Sequence, residues 1–136
     1  MTFQQLVKSF IAGITLPSIF LPLAYTLLYI LKPQTFQQNP LQFIPMYIPI
    51  LFGITNIIYH WISHRHLTQH INRKLWITGI CLGLIVAVFG IFIFNVPSLV
   101  FGLSHGFQYI PLVALPIIYG AIFRFIVKWL NTMLDI

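Results

Sequence analysis

Apolar residues gather along the chain into four long stretches, roughly 10–31, 41–62, 75–96 and 108–129, separated by short polar segments. Each has about the 20 residues that a helix needs to cross a hydrocarbon core about 30 Å thick. Polar and apolar positions do not alternate within them, as the strands of a membrane barrel would require, so the runs predict α-helices. The expected fold is an all-α integral membrane protein with four transmembrane helices in a single domain over residues 1–136.

The apolar pattern also repeats. Lys8, Phe10, Ile11, Gly13, Ile14 and Leu16 return 66 residues later as Lys74, Trp76, Ile77, Gly79, Ile80 and Leu82. Gln42, Ile44 and Pro45 return at the same offset as Gln108, Ile110 and Pro111. After one inserted residue, Pro49, Ile50, Phe52 and Gly53 are answered by Pro116, Ile117, Tyr119 and Gly120. Matches of Ile and Leu mean little in so apolar a chain, so the weight lies with the rarer Lys, Gly, Gln and Pro. They predict two tandem two-helix repeats, about 6–64 and 72–131. Each repeat crosses the membrane twice, so its copy re-enters in the same direction. The halves should then be related by a pseudo-two-fold axis along the membrane normal, the parallel kind of repeat.

Composition strengthens the membrane reading. Hydrophobic residues are 59% and charged residues 6%, against about 25% charged in soluble domains. With 136 residues there is no room for a separate soluble catalytic domain. The net charge of +6 comes from cations that flank the apolar runs without any nucleic-acid motif, so no nucleic-acid partner is expected. Lys8, Arg65, Arg73, Lys74, Arg124 and Lys128 fall on one side of the four-helix arrangement and Lys32 on the other. The positive-inside rule then puts both termini and the central loop in the cytoplasm, with a bacterial inner membrane as the expected location. Lys8 before an apolar run resembles the start of a secretory signal, but no small-residue cleavage pattern follows, and the third run, its counterpart, is internal. The first run is therefore read as a mature helix. Cys81 has no second cysteine to pair with and reads as a small packing residue.

Proline and glycine mark the helices unequally. Pro17, Pro22, Pro49 and Pro116 lie inside apolar runs, where each frees a backbone carbonyl and should bend its helix. Pro45 and Pro111 sit near helix starts, where a missing N–H costs little. Pro22, Pro49 and Pro116 are each followed three residues later by an aromatic, namely Tyr25, Phe52 and Tyr119. Broken helices at matching positions of two halves point to a transporter's central site. These six residues, with Ser18, Thr55 and Asn56 as hydrogen-bonding groups, form the candidate substrate-binding set, beside the plainer roles of packing kinks and interhelical glue. Gly79, Gly83 and Ala87, extended by Gly90, form a small-residue stripe that predicts a helix-packing face.

The one acidic residue is Asp135, and no run contains a carboxylate. This argues against proton coupling through an intramembrane acid, against paired-carboxylate chemistry and against a Ser-His-Asp triad. The histidines are the strongest chemical hint: His60, His64, His66 and His70 form two pairs at helical spacing of four, from which two imidazoles can hold one metal ion. The pairs point about 120° apart on a continuous helix, Arg65 among them would repel a cation, and His105 falls in the opposite loop. A basic loop on anionic headgroups, gaining charge below about pH 6.5, is the favoured reading. Arg124, inside the last run, can snorkel to the headgroups. The first outer loop, 32–40, is polar, whereas the second, Val96 to Phe107, is mostly apolar and suits the interface or a short re-entrant segment.

No motif names a reaction, and neither a cofactor nor an enzymatic role is expected. The leading expectation is transport or permeation of a small neutral, anionic or lipid-like molecule, with the lipid bilayer and either further copies or other membrane proteins as partners. A non-catalytic subunit or assembly partner of a membrane complex is the alternative. A His-dependent metal handler or metalloenzyme is the remote one.

Overall fold

A computed structural model describes residues 2–31, 47–63, 71–101 and 106–136, and 92% of these residues are helical, with no strand among them. Helix α1 is Phe3–Leu31 and α2 is Ile48–Ser63. Helix α3, Ile71–Val88, continues through a π-helical turn, Phe89–Ile93, to the short α4, Val96–Phe101. A 3-10 turn at Phe107–Tyr109 leads into α5, Pro111–Ile122, which runs through a second π-helical turn, Phe123–Val127, into α6, Lys128–Met133. Among the described residues three helices are long and apolar enough to cross a membrane: Phe3–Leu31, Ile71–Ile93 and Phe107–Met133. Helix α2 is apolar but shorter, and the first part of its predicted run, 41–46, lies outside the described residues.

The helices outrun the apolar stretches for identifiable reasons. Helix α1 starts at Phe3 because Thr2 and Gln5 form a capping box. The Thr2 N–H donates to Gln5 Oε1 at 3.0 Å and the Gln5 N–H to Thr2 Oγ1 at 3.3 Å. At the far end of the third helix the Phe94 N–H donates to Phe89 O at 3.1 Å, closing the π turn. Asn95 then turns left-handed at φ 48°, a conformation that asparagine tolerates better than most residues. Pro97 follows near the start of α4, where its missing donor is harmless. The segment that follows the third long helix thus contains a six-residue helix. Helix α1 runs unbroken through Pro17 and Pro22, and Pro111 opens α5 at its first position.

Packing divides the chain into two antiparallel pairs, α1 with α2 and α3 with α5, joined by fewer contacts between them. Each pair crosses at a glycine. A Cβ on Gly13 would lie 2.6 Å from Phe52 O and 2.7 Å from the Gly53 Cα. A Cβ on Gly79 would collide with Tyr119 O and lie 2.8 Å from the Gly120 Cα. Around these points Phe10 and Ile14 cover Gly53, and Trp76 and Ile80 cover Gly120. Without a hydrophobic drive between helices in lipid, this close backbone approach supplies the dispersion contacts that hold each pair. Between the pairs the Phe52 ring meets Tyr119 edge-on, with centroids 4.9 Å apart, and lies 5.4 Å from Phe123.

Gly83 also meets backbone, at Leu115 O and the Pro116 Cα, and Ala87 is buried. Gly90, read in the sequence as part of the same stripe, has nothing within 4 Å of a Cβ position. The stripe therefore ends at Ala87, because the helices diverge beyond it. Replacing Gly13 or Gly79 by Ala should destabilise the fold by about 1–3 kcal/mol through overpacking, whereas Gly90→Ala should stay within about 1 kcal/mol of wild type. Thermal unfolding in detergent reads the three midpoints, and equal values would contradict the crossings.

Candidate functional site

Two features stand out in the interior: a polar tie and an apolar cleft. The tie is centred on Asn56 of α2, which is fully buried. Its Nδ2 donates to Ser9 O of α1 at 2.8 Å and to Asn131 Oδ1 of α6 at 2.9 Å. The Asn131 Nδ2 returns a bond to Asn56 Oδ1 at 3.3 Å. The Ser9 hydroxyl donates back along its own helix to Gln5 O at 2.8 Å. Both protons of the Asn56 amide are thus committed to protein acceptors, as a buried amide requires. The group joins three helices from both pairs and works as a tie.

Repeated four-residue spacing brings these side chains in. Tyr119, Phe123, Val127 and Asn131 are all buried along the last helix, where Tyr119 and Phe123 meet Phe52 and Asn131 meets Asn56 of α2. Asn131 lies beyond the predicted end of the last apolar run at 129, so the hydropathy pattern missed it. The continuing four-residue spacing from Tyr119 was the available signal. Ser9 was hidden for the same reason, one residue before the first run.

The cleft, about 540 Å³ in volume, lies at the opposite end of the bundle, where α2, α3, α4 and α5 part. Its walls include Ile48 and Leu51 of α2, Ile85 and Gly90 of the third helix, Pro97 of α4 and Leu115 of α5. Among the described residues Tyr47 and Tyr119 supply the side-chain hydroxyls of its wall. The volume is within the range of about 300–1,000 Å³ usual for small-molecule sites. The described walls are otherwise apolar, a surface suited to an apolar ligand.

Of the sequence candidates, Phe52, Pro116 and Tyr119 are buried together at the junction of the helix pairs, and Tyr119 reaches the cleft wall. Thr55 and Pro49 are half-buried on α2. Ser18 and Pro22 are exposed on the C-terminal half of α1, with Tyr25 half-buried beside them, and none of the three lines the cleft. The Thr15 and Thr26 hydroxyls bond to Ile11 O and Pro22 O of their own helix, the usual back-bonding of helical threonine. His60 is buried with its ring 5.1 Å from that of Tyr59 and nearly perpendicular to it. His64, His66 and His70 lie outside the described residues. Among the described residues no group of three His, Cys, Asp or Glu side chains is placed to hold a metal ion.

No family profile, curated protein or solved structure gives a significant match to the chain.

Removing one amide of the tie leaves its partner buried and unsatisfied. Asn56→Ala and Asn131→Ala should each destabilise by about 1–3 kcal/mol, with the pair coupled by about 0.6–1.7 kcal/mol, as for hydrogen bonds between membrane helices. A double-mutant cycle on detergent unfolding measures the coupling, and strictly additive losses would break the tie.

Proposed function

We propose that the chain is a four-span protein of a bacterial inner membrane, built from a duplicated hairpin, that takes a lipid-like molecule into the apolar cleft and helps it across. The observation that carries this reading is the cleft itself. Its walls are almost wholly apolar and belong to helices suited to a bilayer, whose most abundant ligand is an acyl chain. Of the neutral, anionic and lipid-like molecules open to a permeation pathway, a cleft with no charged side chain among its described walls favours the last.

The duplication draws support from the crossings. The contacts of Phe10, Gly13 and Ile14 with Phe52 and Gly53 recur, at offsets of 66 and 67 residues, in those of Trp76, Gly79 and Ile80 with Tyr119 and Gly120. Phe52 and Tyr119 are equivalent positions, and they touch one another. A residue meets its own equivalent only beside a two-fold axis, so this contact suits a pseudo-two-fold along the membrane normal. A cytoplasmic location for both termini rests on the cations. Lys8 reaches Leu134 O at 2.9 Å and Lys128 reaches Asn72 Oδ1 at 2.7 Å, which gathers them at one end of the bundle.

A second reading, a non-catalytic subunit of a membrane complex, is favoured by α1. Beyond Pro17 none of its described side chains is buried, which leaves a long apolar face for a partner helix or another copy. Constant co-purification of a second protein at fixed stoichiometry would favour it.

Gly90 separates the two readings, because its Cβ position is open and it lines the cleft. Gly90→Leu should fill the space with little effect on unfolding while reducing transbilayer movement of a fluorescent phospholipid in proteoliposomes by roughly tenfold. That corresponds to about 1.4 kcal/mol. Wild-type protein that moves none of a panel of lipids, or a Gly90→Leu variant as active as wild type, would count against the transport reading.

A further inference from the structure

At the end of the bundle opposite the cleft, a second cavity of about 370 Å³ is lined by Asn72, Arg124, Phe125, Lys128, Trp129 and Thr132. Arg124, Lys128 and Thr132 follow at spacings of four along the last helix, and Asn72 comes from the start of α3. The geometry points to a binding site for the phosphate of an anionic phospholipid, held between the Arg124 guanidinium and the Lys128 ammonium. It rests on the membrane reading of the helices, and neither the cleft nor the orientation enters it.

Charge is the first argument. The chain has seven Lys and Arg against one acidic side chain, so its own carboxylates cannot neutralise these cations. Lys128 Nζ is held at 2.7 Å by Asn72 Oδ1, a neutral acceptor, which orients the ammonium and leaves its charge uncompensated with two further N–H groups. The Arg124 guanidinium carbon lies 5.8 Å from the Trp76 ring centroid and 5.3 Å from that of Phe125. Such stacking fixes a guanidinium by one face and leaves its N–H edge to bind an oxyanion in the forked geometry that suits phosphate.

The walls argue for a lipid as the source of that phosphate. Phe125 and Trp129, both strongly exposed, flank the cations on the membrane-facing side. Tryptophan at a membrane interface packs along glycerol and upper acyl carbons, a surface that free phosphate would not need. From Arg124 to the end of the helix at Met133 is roughly 14 Å of rise, so Lys128 stands near headgroup level and Arg124 just beneath it. The π-helical turn Phe123–Val127, where the Lys128 N–H reaches back to Phe123 O, carries Arg124 in this cavity. Such turns are frequent at functional sites.

The two hairpins differ at this place. At offsets of 66 and 67, Asn72, Arg124, Phe125 and Lys128 correspond to Leu6, Ile57, Ile58 and Trp61. Topology cations such as Lys8 and Lys74 occur in both halves, but the pocket's Asn72, Arg124 and Lys128 have apolar or aromatic counterparts in the first. A pair of cations needed merely to mark the cytoplasmic side would not require a cavity, an amide clamp and aromatic walls.

The test uses the full-length protein in nanodiscs, with tryptophan emission read as dibrominated phosphatidylglycerol or dibrominated phosphatidylcholine replaces the unlabelled lipid. Wild type should show quenching saturating at low mole fraction of the anionic lipid, with a preference of roughly tenfold or more over the zwitterionic one, since each cation near an anionic surface adds about 1 kcal/mol. Arg124→Gln with Lys128→Gln should abolish the preference, while Lys8→Gln, at the same end but outside the cavity, should keep it. Arg124→Lys should weaken it by losing the fork. Should the double variant misfold, Lys128→Gln alone, at an exposed position, should lower the preference severalfold. Equal losses in Lys8→Gln and in the pocket variants would reduce the effect to general surface charge and overturn the site. Displacement of the lipid by millimolar inorganic phosphate would reassign it to a free anion.

Discussion

Close approach of two backbones at a glycine is the constraint on which this molecule depends. In a bilayer, lipid chains are as apolar as the side chains that would replace them, so burial alone does not drive helices together. What remains is dispersion between atoms brought nearer than side chains normally permit. At Gly13 the α2 backbone, Phe52 O and Gly53 Cα, occupies the space of a methyl group, and at Gly79 the backbone of Tyr119 and Gly120 does the same. Each helix pair is therefore set by residues without a side chain, Gly13 in the first and Gly79 with Gly83 in the second, and the bulky neighbours Phe10, Ile14, Trp76 and Ile80 close around the partner glycine.

Once the pairs are set, the faces that remain determine how they meet. Phe52, Tyr119 and Phe123 form the apolar part of that junction, and Asn56 with Asn131 and Ser9 forms the polar part. At offsets of 66 and 67 from Ser9 and Asn56 the chain carries Leu75 and Phe123, both buried and apolar. Aromatic contacts tolerate sliding, whereas a reciprocal pair of amides is satisfied in one register only. The amides thus give the junction of the two pairs a unique arrangement.

Much of this was legible in the sequence, and the misses have physical causes. Unbroken apolar runs marked the helices because crossing lipid demands them, and the spacing of Gly79, Gly83 and Ala87 marked the face on which α3 packs. The helix ends were not legible from hydropathy, because Thr2 with Gln5 and the turn containing Asn131 are polar continuations stabilised by capping and by partners far along the chain. That is why Asn56 was found and its two partners were not. Neither π-helical turn has a residue signature, since a bond to the fifth residue suits the same side chains as one to the fourth. Gly90 looked like Gly79 and Gly83 because composition records the absence of a side chain and not what stands opposite. The histidine segment was legible as chemistry, but three of its four members lie outside the described residues.

The crossing also accounts for the cleft. Gly79 and Gly83 hold α3 against Tyr119, Leu115 and Pro116 of α5 over little more than one turn. Helices that touch at one point and cross at an angle must separate on either side of it. By Gly90, seven residues past Gly83, no atom lies within 4 Å of the Cβ position. The chain then widens into a π turn and leaves the helix axis at Asn95, so no side chain from α3 fills the gap. Concentrating cohesion in a glycine contact and opening an apolar space two turns away are one geometric decision. Moving the glycine contact along α3 toward Gly90 would close the cleft. The molecule keeps its space because its helices are held tightly in so small a place.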